Sequence, residues 1–146
     1  MSHRSAAAAS EPDLGPTLRA VGLRATPARA AVLAVLRGAG RPMSHAEVAE
    51  RLTHGSWDRA TLYRNLIDLT KVGLVQRLDW GDHIWRFELR QPAHGAADHP
   101  HFLCTACGKV ACVPHVRLVT SPRTAPSDWL GPDVEVQLKG RCGDCR

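Results

Sequence analysis

Asp58-Arg59-Ala60-Thr61-Leu62-Tyr63-Arg64-Asn65-Leu66-Ile67-Asp68-Leu69-Thr70-Lys71-Val72-Gly73 is the stretch that decides the fold. Leu62, Leu66 and Leu69 recur at spacings of four and three, which places them on one stripe of a helix. Asp58 can cap the start of that helix and Gly73 can close its end. Arg64 and Lys71 fall on the opposite side, with Thr61 nearby and Tyr63 on the shoulder. Polar groups that bond base edges and phosphates, on a helix packed by its other face, suit a recognition helix in a major groove. An ordinary amphipathic helix with solvated arginines fits the same pattern. The decision comes from what flanks it.

Upstream, three short helices are predicted. Leu14, Leu18 and Val21 keep helical spacing over Asp13 to Val21, stopped by Gly22. Thr26 followed by Pro27 is a cap and a first-turn proline, opening a helix through Ala30, Leu33 and Leu36 to Gly38-Ala39-Gly40. Ser44-His45-Ala46-Glu47 fits a capping box and opens a short helix to about Leu52. Downstream, Leu74 to Trp80 and Ile84 to Leu89 read as two strands about Gly81-Asp82, with Trp85, Phe87 and Leu89 on one face. Short helices, a recognition helix and a hairpin make a winged helix-turn-helix. Gln91 to Asp98, with Pro92 and Gly95, reads as a linker.

The second half is organised by cysteines. Cys104-Thr-Ala-Cys107 and Cys142-Gly-Asp-Cys145 are two C-x-x-C pairs with 34 residues between them, the ligand spacing of a closed structural zinc site. Such a site would bind the last strand, Val134 to Lys139, to the strands at His101 to Leu103 and Lys109 to Val113. Disulfides are the alternative, and they leave Cys112 over. A redox pair is another, but one motif would suffice and no thioredoxin-like βαβ pattern is present. His99 and His101 share a strand face at i, i+2, with Glu88 and Cys112 within reach, which makes a second metal site. Cys112 also fits a small buried apolar position. His45, His54, His94, His115 and His3 read as surface histidines, and His83 near the hairpin turn is an extra candidate.

The chain has 146 residues and a net charge of +5. Leu14 to Arg77 holds ten Lys/Arg against four Asp/Glu, while Gln91 onward holds six against five. A basic first half and a nearly neutral, cysteine-bearing second half point to nucleic acid as the first half's partner. The tail over 1–12 is Ala/Ser-rich without an apolar core and reads as disordered. No run of 18 apolar residues occurs, so no membrane span is expected, and a cytoplasmic location with reduced thiols follows.

Gly22-Leu-Arg-Ala-Thr-Pro-Ala-Arg29, Ala60-Thr-Leu-Tyr-Arg-Asn-Leu66, Trp85-Arg-Phe-Glu-Leu89, His99-Pro-His-Phe-Leu-Cys-Thr-Ala-Cys-Gly-Lys109 and Gly140-Arg-Cys-Gly-Asp-Cys145 together resemble the ferric uptake regulator (Fur) family of metal-dependent repressors. The resemblance implies an α+β fold: a winged-helix DNA-binding domain over 13–90, a hinge over 91–98, and a small α/β dimerisation and metal-binding domain over 99–146. It implies a homodimer on a palindromic operator, with Tyr63, Arg64 and Thr61 on the recognition helix and Arg24 approaching the minor groove. Cys104, Cys107, Cys142 and Cys145 match the structural zinc, and Glu88, His99, His101 and Cys112 match the regulatory site.

Three departures from the family pattern bear on function. Pro42 stands where many members have a histidine, Pro100 replaces the acid of His-Asp-His, and Cys112 stands at a usually acidic position. One thiolate, two imidazoles and one carboxylate suit Zn²⁺ over Fe²⁺ or Mn²⁺. The zinc-responsive branch (Zur) also uses one thiolate, though usually at the position of Glu88. Pro114, Pro122, Pro126 and Pro132 fall where the family has a dimerisation helix and would cut it to one or two turns around Val116 to Thr120. The expected function is therefore a metal-responsive repressor, most simply zinc-responsive, with no small-molecule substrate. The alternatives are iron, manganese, nickel or peroxide response, or a constitutive DNA-binding module with structural zinc only. A zinc deaminase would place a proline before its cysteine pair, and here Leu103 precedes Cys104.

Overall fold

Caps and stops decide where the helices lie. In the computed structural model, which describes residues 13–90, 100–116 and 136–146, four helices precede the first hairpin. They are α1 (Gly15–Ala20), α2 (Pro27–Ala39), α3 (His45–Arg51) and α4 (Arg59–Lys71). Thr26 Oγ1 accepts from Arg29 N at 3.3 Å, and Asp58 Oδ1 accepts from Thr61 N at 2.6 Å. Ser44 and Glu47 form the reciprocal box: Ser44 Oγ accepts from Glu47 N at 3.2 Å, and Glu47 Oε2 accepts from Ser44 N at 2.8 Å. Gly73, at φ 78°, takes the left-handed position that lets Gly73 N donate to Thr70 O and Leu74 N to Leu69 O, ending α4.

The strands β1 (Met43–Ser44), β2 (Val75–Leu78) and β3 (Arg86–Leu89) form an antiparallel sheet in the order β1-β3-β2. Register pairs Gln76 with Glu88 and Val75 with Leu89, while Met43 pairs with Phe87. One sheet face, with Met43, Val75 and Phe87, therefore closes the helical core of Leu18, Val32, Leu33, Leu36, Val48, Leu62, Leu66 and Leu69. Each leucine of the α4 stripe is at most 2% exposed. Burying each stabilises the fold by about 1.5–3 kcal/mol. Helices α2, α3 and α4 with the β2–β3 hairpin are the winged helix-turn-helix, and the fold is α+β.

The hairpin is shorter than its sequence suggests. Trp85 lies outside β3 and is 41% exposed, with the Arg77 guanidinium 3.9 Å over its ring, so it does not join Phe87 in the core. The second strand of the hairpin, expected from Ile84, therefore begins two residues later, at Arg86. Pairing stops at Arg86, and the Asp82 carboxylate turns the chain by accepting from Ile84 N and from Arg86.

The second sheet contains β4 (His101–Cys104), β5 (Val110–Cys112) and β6 (Gln137–Gly140), in the order β5-β4-β6. β4 pairs antiparallel with β5 and parallel with β6, so the last strand is bound to the first two as its cysteines required. His101 stands opposite Cys112, and Leu103 opposite Val110. This face meets the wing. Leu103 and Val110 bury against Leu78 and Trp80 as a second, small core. Lys139 Nζ donates to Trp80 O at 3.0 Å, and Gln137 Nε2 donates to Asp79 O at 2.9 Å. Strand β3 is thus walled on both sides, with Phe87 turned to the helices and Glu88 to the second sheet. The expected linker over Gln91 to Asp98, the expected turns around Val116 to Thr120 beyond residue 116, and the start of the last strand at Val134 lie outside the described residues.

Candidate metal centres and nucleic-acid interface

Cys104 ends β4, Cys107 follows its turn, and Cys142 and Cys145 bracket a 3-10 turn (Gly143–Cys145) after β6. Their four sulfurs lie within 4.8 Å of one another. Cys107 Sγ and Cys142 Sγ are 3.9 Å apart. Four sulfurs around one Zn²⁺ at about 2.3 Å stand roughly 3.8 Å from each other, whereas a disulfide needs about 2.05 Å. The quartet fits an ion and does not fit a bridge. All five cysteines are free thiols. The amides of Cys107 and Cys142 point at Cys104 Sγ, the latter at 3.3 Å, and bring that thiol down to about 6. Hydrogen bonds with the Cys142 and Cys107 thiols push Cys145 up to about 12. Four thiolates cannot share so small a volume without a cation.

Glu88, His101 and Cys112 form the other cluster, also with donor atoms within 4.8 Å. Glu88 comes from the wing, His101 and Cys112 from facing positions on β4 and β5. His101 Nε2–H donates to Glu88 Oε2 at 2.9 Å, Gln76 Nε2 to the same oxygen at 2.8 Å, and Cys112 Sγ to Oε1 at 2.8 Å. Burial alone raises the Glu88 pKa, but the bonds from His101, Cys112 and Gln76 outweigh it and hold the carboxyl at about 2. The Cys112 thiol is pushed up to about 12, by burial first and then by the adjacent Glu88 carboxylate. Two protons, one from the imidazole and one from the thiol, therefore sit between soft donors and a carboxylate. That is where a cation would sit. His99, expected as a fourth member, lies outside the described residues. His83, the extra candidate, is exposed in the hairpin turn at φ 62° and takes no part in the cluster.

The predicted DNA-facing residues are spread over α4 and the segment before α2. Tyr63 is 40% exposed, Arg64 is exposed, and Thr61 is half-buried beside the Asp58 cap. Arg24 is exposed, and its carbonyl accepts from Arg29 Nη1 at 2.7 Å while Arg29 Nη2 bonds Asp68 of α4 at 2.9 Å. That clamp, which sequence reasoning missed, ties the Arg24 loop to α4. His45 was also missed. Read as a surface histidine, it is half-buried against Arg59 and Tyr63. The triplet His45-Ala46-Glu47 has the His-x-Glu form of a zinc deaminase, but Glu47 is engaged with Ser44 and Arg41 in capping α3.

A winged helix with basic residues on α4, a four-cysteine cluster and a Glu/His/Cys cluster at the wing is the architecture of a DNA-binding regulator whose two clusters could hold metal ions. The family follows from comparison. The model of the ferric uptake regulator family matches residues 20–127, and the chain belongs to that family. The peroxide-responsive repressor PerR of Staphylococcus aureus (strain Mu50) is 28% identical over 134 residues, covering 89% of this chain and 87% of that one. The ferric uptake regulator of Vibrio cholerae superposes with a TM-score of 0.69 at 23% identity, covering 89% of this chain and all (100%) of that one. The ferric uptake regulator of Pseudomonas aeruginosa with manganese gives 0.59 at 26% identity, covering 88% and 96%. The chain is therefore a metal-responsive transcriptional repressor of this family and not an enzyme. Regulators of the family bind operator DNA, typically as dimers. No helix among the described residues is long and apolar enough to cross a membrane.

Proposed function

We propose that this protein is a zinc-responsive, cytoplasmic repressor that binds palindromic operator DNA as a homodimer when its regulatory site is filled. The observation that carries this reading is the convergence of Glu88, His101 and Cys112 between the wing and the second sheet. A thiolate, an imidazole and a carboxylate, with His99 as the fourth ligand, make a tetrahedral set that suits Zn²⁺ above Fe²⁺ or Mn²⁺. Cys104, Cys107, Cys142 and Cys145 would hold a structural zinc with no open position. Residues 13–90 act as the DNA-binding unit, 91–98 as the hinge and 99–146 as the dimerisation and metal-binding unit.

Glu88, His101 and Cys112 would hold the regulatory Zn²⁺, which when bound would supply a cross-link between the wing and strands β4 and β5. Glu88 then sets the orientation of the wing, and with it α4, relative to β4 and β5. Such a link shifts the population toward one arrangement of the two DNA-binding units rather than creating a new one. Tyr63, Arg64 and Thr61 on α4, with Arg24, would then meet the operator.

Metal content together with operator binding tests this. Protein purified in zinc should carry two ions per chain, one removed by mild chelation with loss of operator binding and both restored by Zn²⁺. Cys112→Ser should keep one tight zinc and lose the metal response. Operator binding indifferent to the labile zinc would sink the proposal. The peroxide-responsive names of the curated relatives support a second reading, with Fe²⁺ at the same cluster. In that case Fe²⁺ restores binding better than Zn²⁺, and peroxide releases the operator.

A further inference from the structure

Helix α3 begins with His45, and that side chain is built into the first turn of the recognition helix. Ser44 and Glu47 fix the backbone on either side of it, and Arg41 Nη2 holds Glu47 Oε1 at 2.9 Å. From this anchored position His45 Nε2 lies 2.8 Å from the carbonyl of Arg59, the first residue of α4. A carbonyl only accepts, so Nε2 carries the proton and the ring's orientation is set. One turn further along α4, the Tyr63 ring meets the imidazole edge-on, with centroids 5.4 Å apart and planes at 64°. Tyr63 is 40% exposed, and an exposed aromatic on a helix ordinarily samples more than one rotamer. Here one rotamer has a partner, and that partner is itself held at two points.

We infer that His45 is a positioning residue of the DNA interface, which holds the Tyr63 ring in one orientation on α4 before DNA arrives. The inference rests on the reading of α4 as recognition helix with Tyr63 as a DNA contact. Ordering a contact residue in advance removes that cost from binding, and an edge-to-face pair is the right size to do so. His45 contributes no phosphate contact of its own in this role, so its loss lowers affinity without changing how affinity depends on salt.

Tyr63 is the only tyrosine in the chain, which gives a clean readout. With ring-¹³C tyrosine in the full-length, zinc-loaded protein, the Tyr63 signal should be ring-current shifted by the imidazole. That shift should vanish in His45→Ala and persist in part in His45→Phe, which keeps a ring. Operator affinity should fall about 3- to 10-fold in His45→Ala, with an unchanged slope against salt concentration. In a Tyr63→Ala background, His45→Ala should cost nothing further. Additive losses, or a shallower salt slope, would overturn the positioning role. If His45→Ala leaves affinity unchanged while Tyr63→Ala lowers it, the inference falls and the DNA reading stands. If Tyr63→Ala itself has no effect, the reading of Tyr63 as a contact falls and takes the inference with it. Should His45→Ala melt α3, His45→Phe carries both measurements.

Discussion

Replacing Trp80 with alanine separates the two cores. Trp80 is 2% exposed and belongs to the small cluster with Leu78, Leu103 and Val110, its ring edge-on to His101 at 5.9 Å. It is not among the thirteen buried residues of the helical core. Truncating a buried tryptophan costs about 3–5 kcal/mol, of which the edge-to-face contact supplies roughly 0.5–1.5. The bond from Lys139 to the Trp80 carbonyl survives the change, since it needs no side chain. The whole penalty therefore falls on the docking of the second sheet against the wing. At about 4 kcal/mol, opening of β4 and β5 becomes roughly three orders of magnitude more frequent. Amide hydrogen exchange read by mass spectrometry on zinc-loaded protein should show faster exchange in peptides covering β4 and β5. Peptides covering α2 and α4 should exchange as before, because Leu33, Leu36, Leu62 and Leu66 keep their neighbours. Equal acceleration in α2 and α4 would mean one cooperative core, and the separation argued here would be wrong.

Other outcomes follow from the same geometry. Leu66→Ala, at a fully buried position of the α4 stripe, should cost about 2–5 kcal/mol in urea melts and abolish operator binding near the resulting midpoint; a loss under 1 kcal/mol would contradict the packing. Ser44→Ala should cost about 1 kcal/mol through the lost cap, seen as a lower thermal midpoint. Burial alone would raise the Glu47 pKa, but the Ser44 amide and then Arg41 lower it below the ordinary 4.5. The stability this provides is present above pH 4.5 and disappears as pH falls through the lower folded value, so Glu47→Gln should flatten that acid limb. Cys142→Ser should release the structural zinc and loosen β6 from β4, read as lost exchange protection in β6 while α4 stays protected. Retention of a tight four-sulfur zinc in that variant would contradict the quartet.

Much of this was legible in the sequence, for local reasons. Thr26, Ser44 with Glu47, and Asp58 act on amides two or three residues away, so their caps could be read from spacing alone. The cysteine pairs were legible because ligand spacing is also local. Glu88 and Cys112 were placed in one site by reach and by family resemblance, and the structure brings both onto His101. What stayed hidden was the far wall of β3. Trp85 was read into the second strand because the alternation continues to it, but pairing ends at Arg86 and Arg77 covers the exposed ring instead. His45 was read as a surface residue because its partners, Arg59 and Tyr63, lie 14 and 18 positions later in the chain. A one-residue pattern cannot report a contact at that distance.

The position of Cys112 has a consequence for how such a protein can change over generations. It lies half-buried on β5, which among the described residues is the edge of its sheet and pairs only with β4. Glu88 and His101 are confined between two packed layers, so almost any replacement there damages the fold before it alters metal preference. Residue 112 carries little of that burden. An acid, a histidine or a thiol could be tried at this one site with the architecture intact, and selection could shift preference between hard and soft ions by a single substitution. On the proposed reading of the cluster, the fold thus leaves one ligand position adjustable while fixing the others.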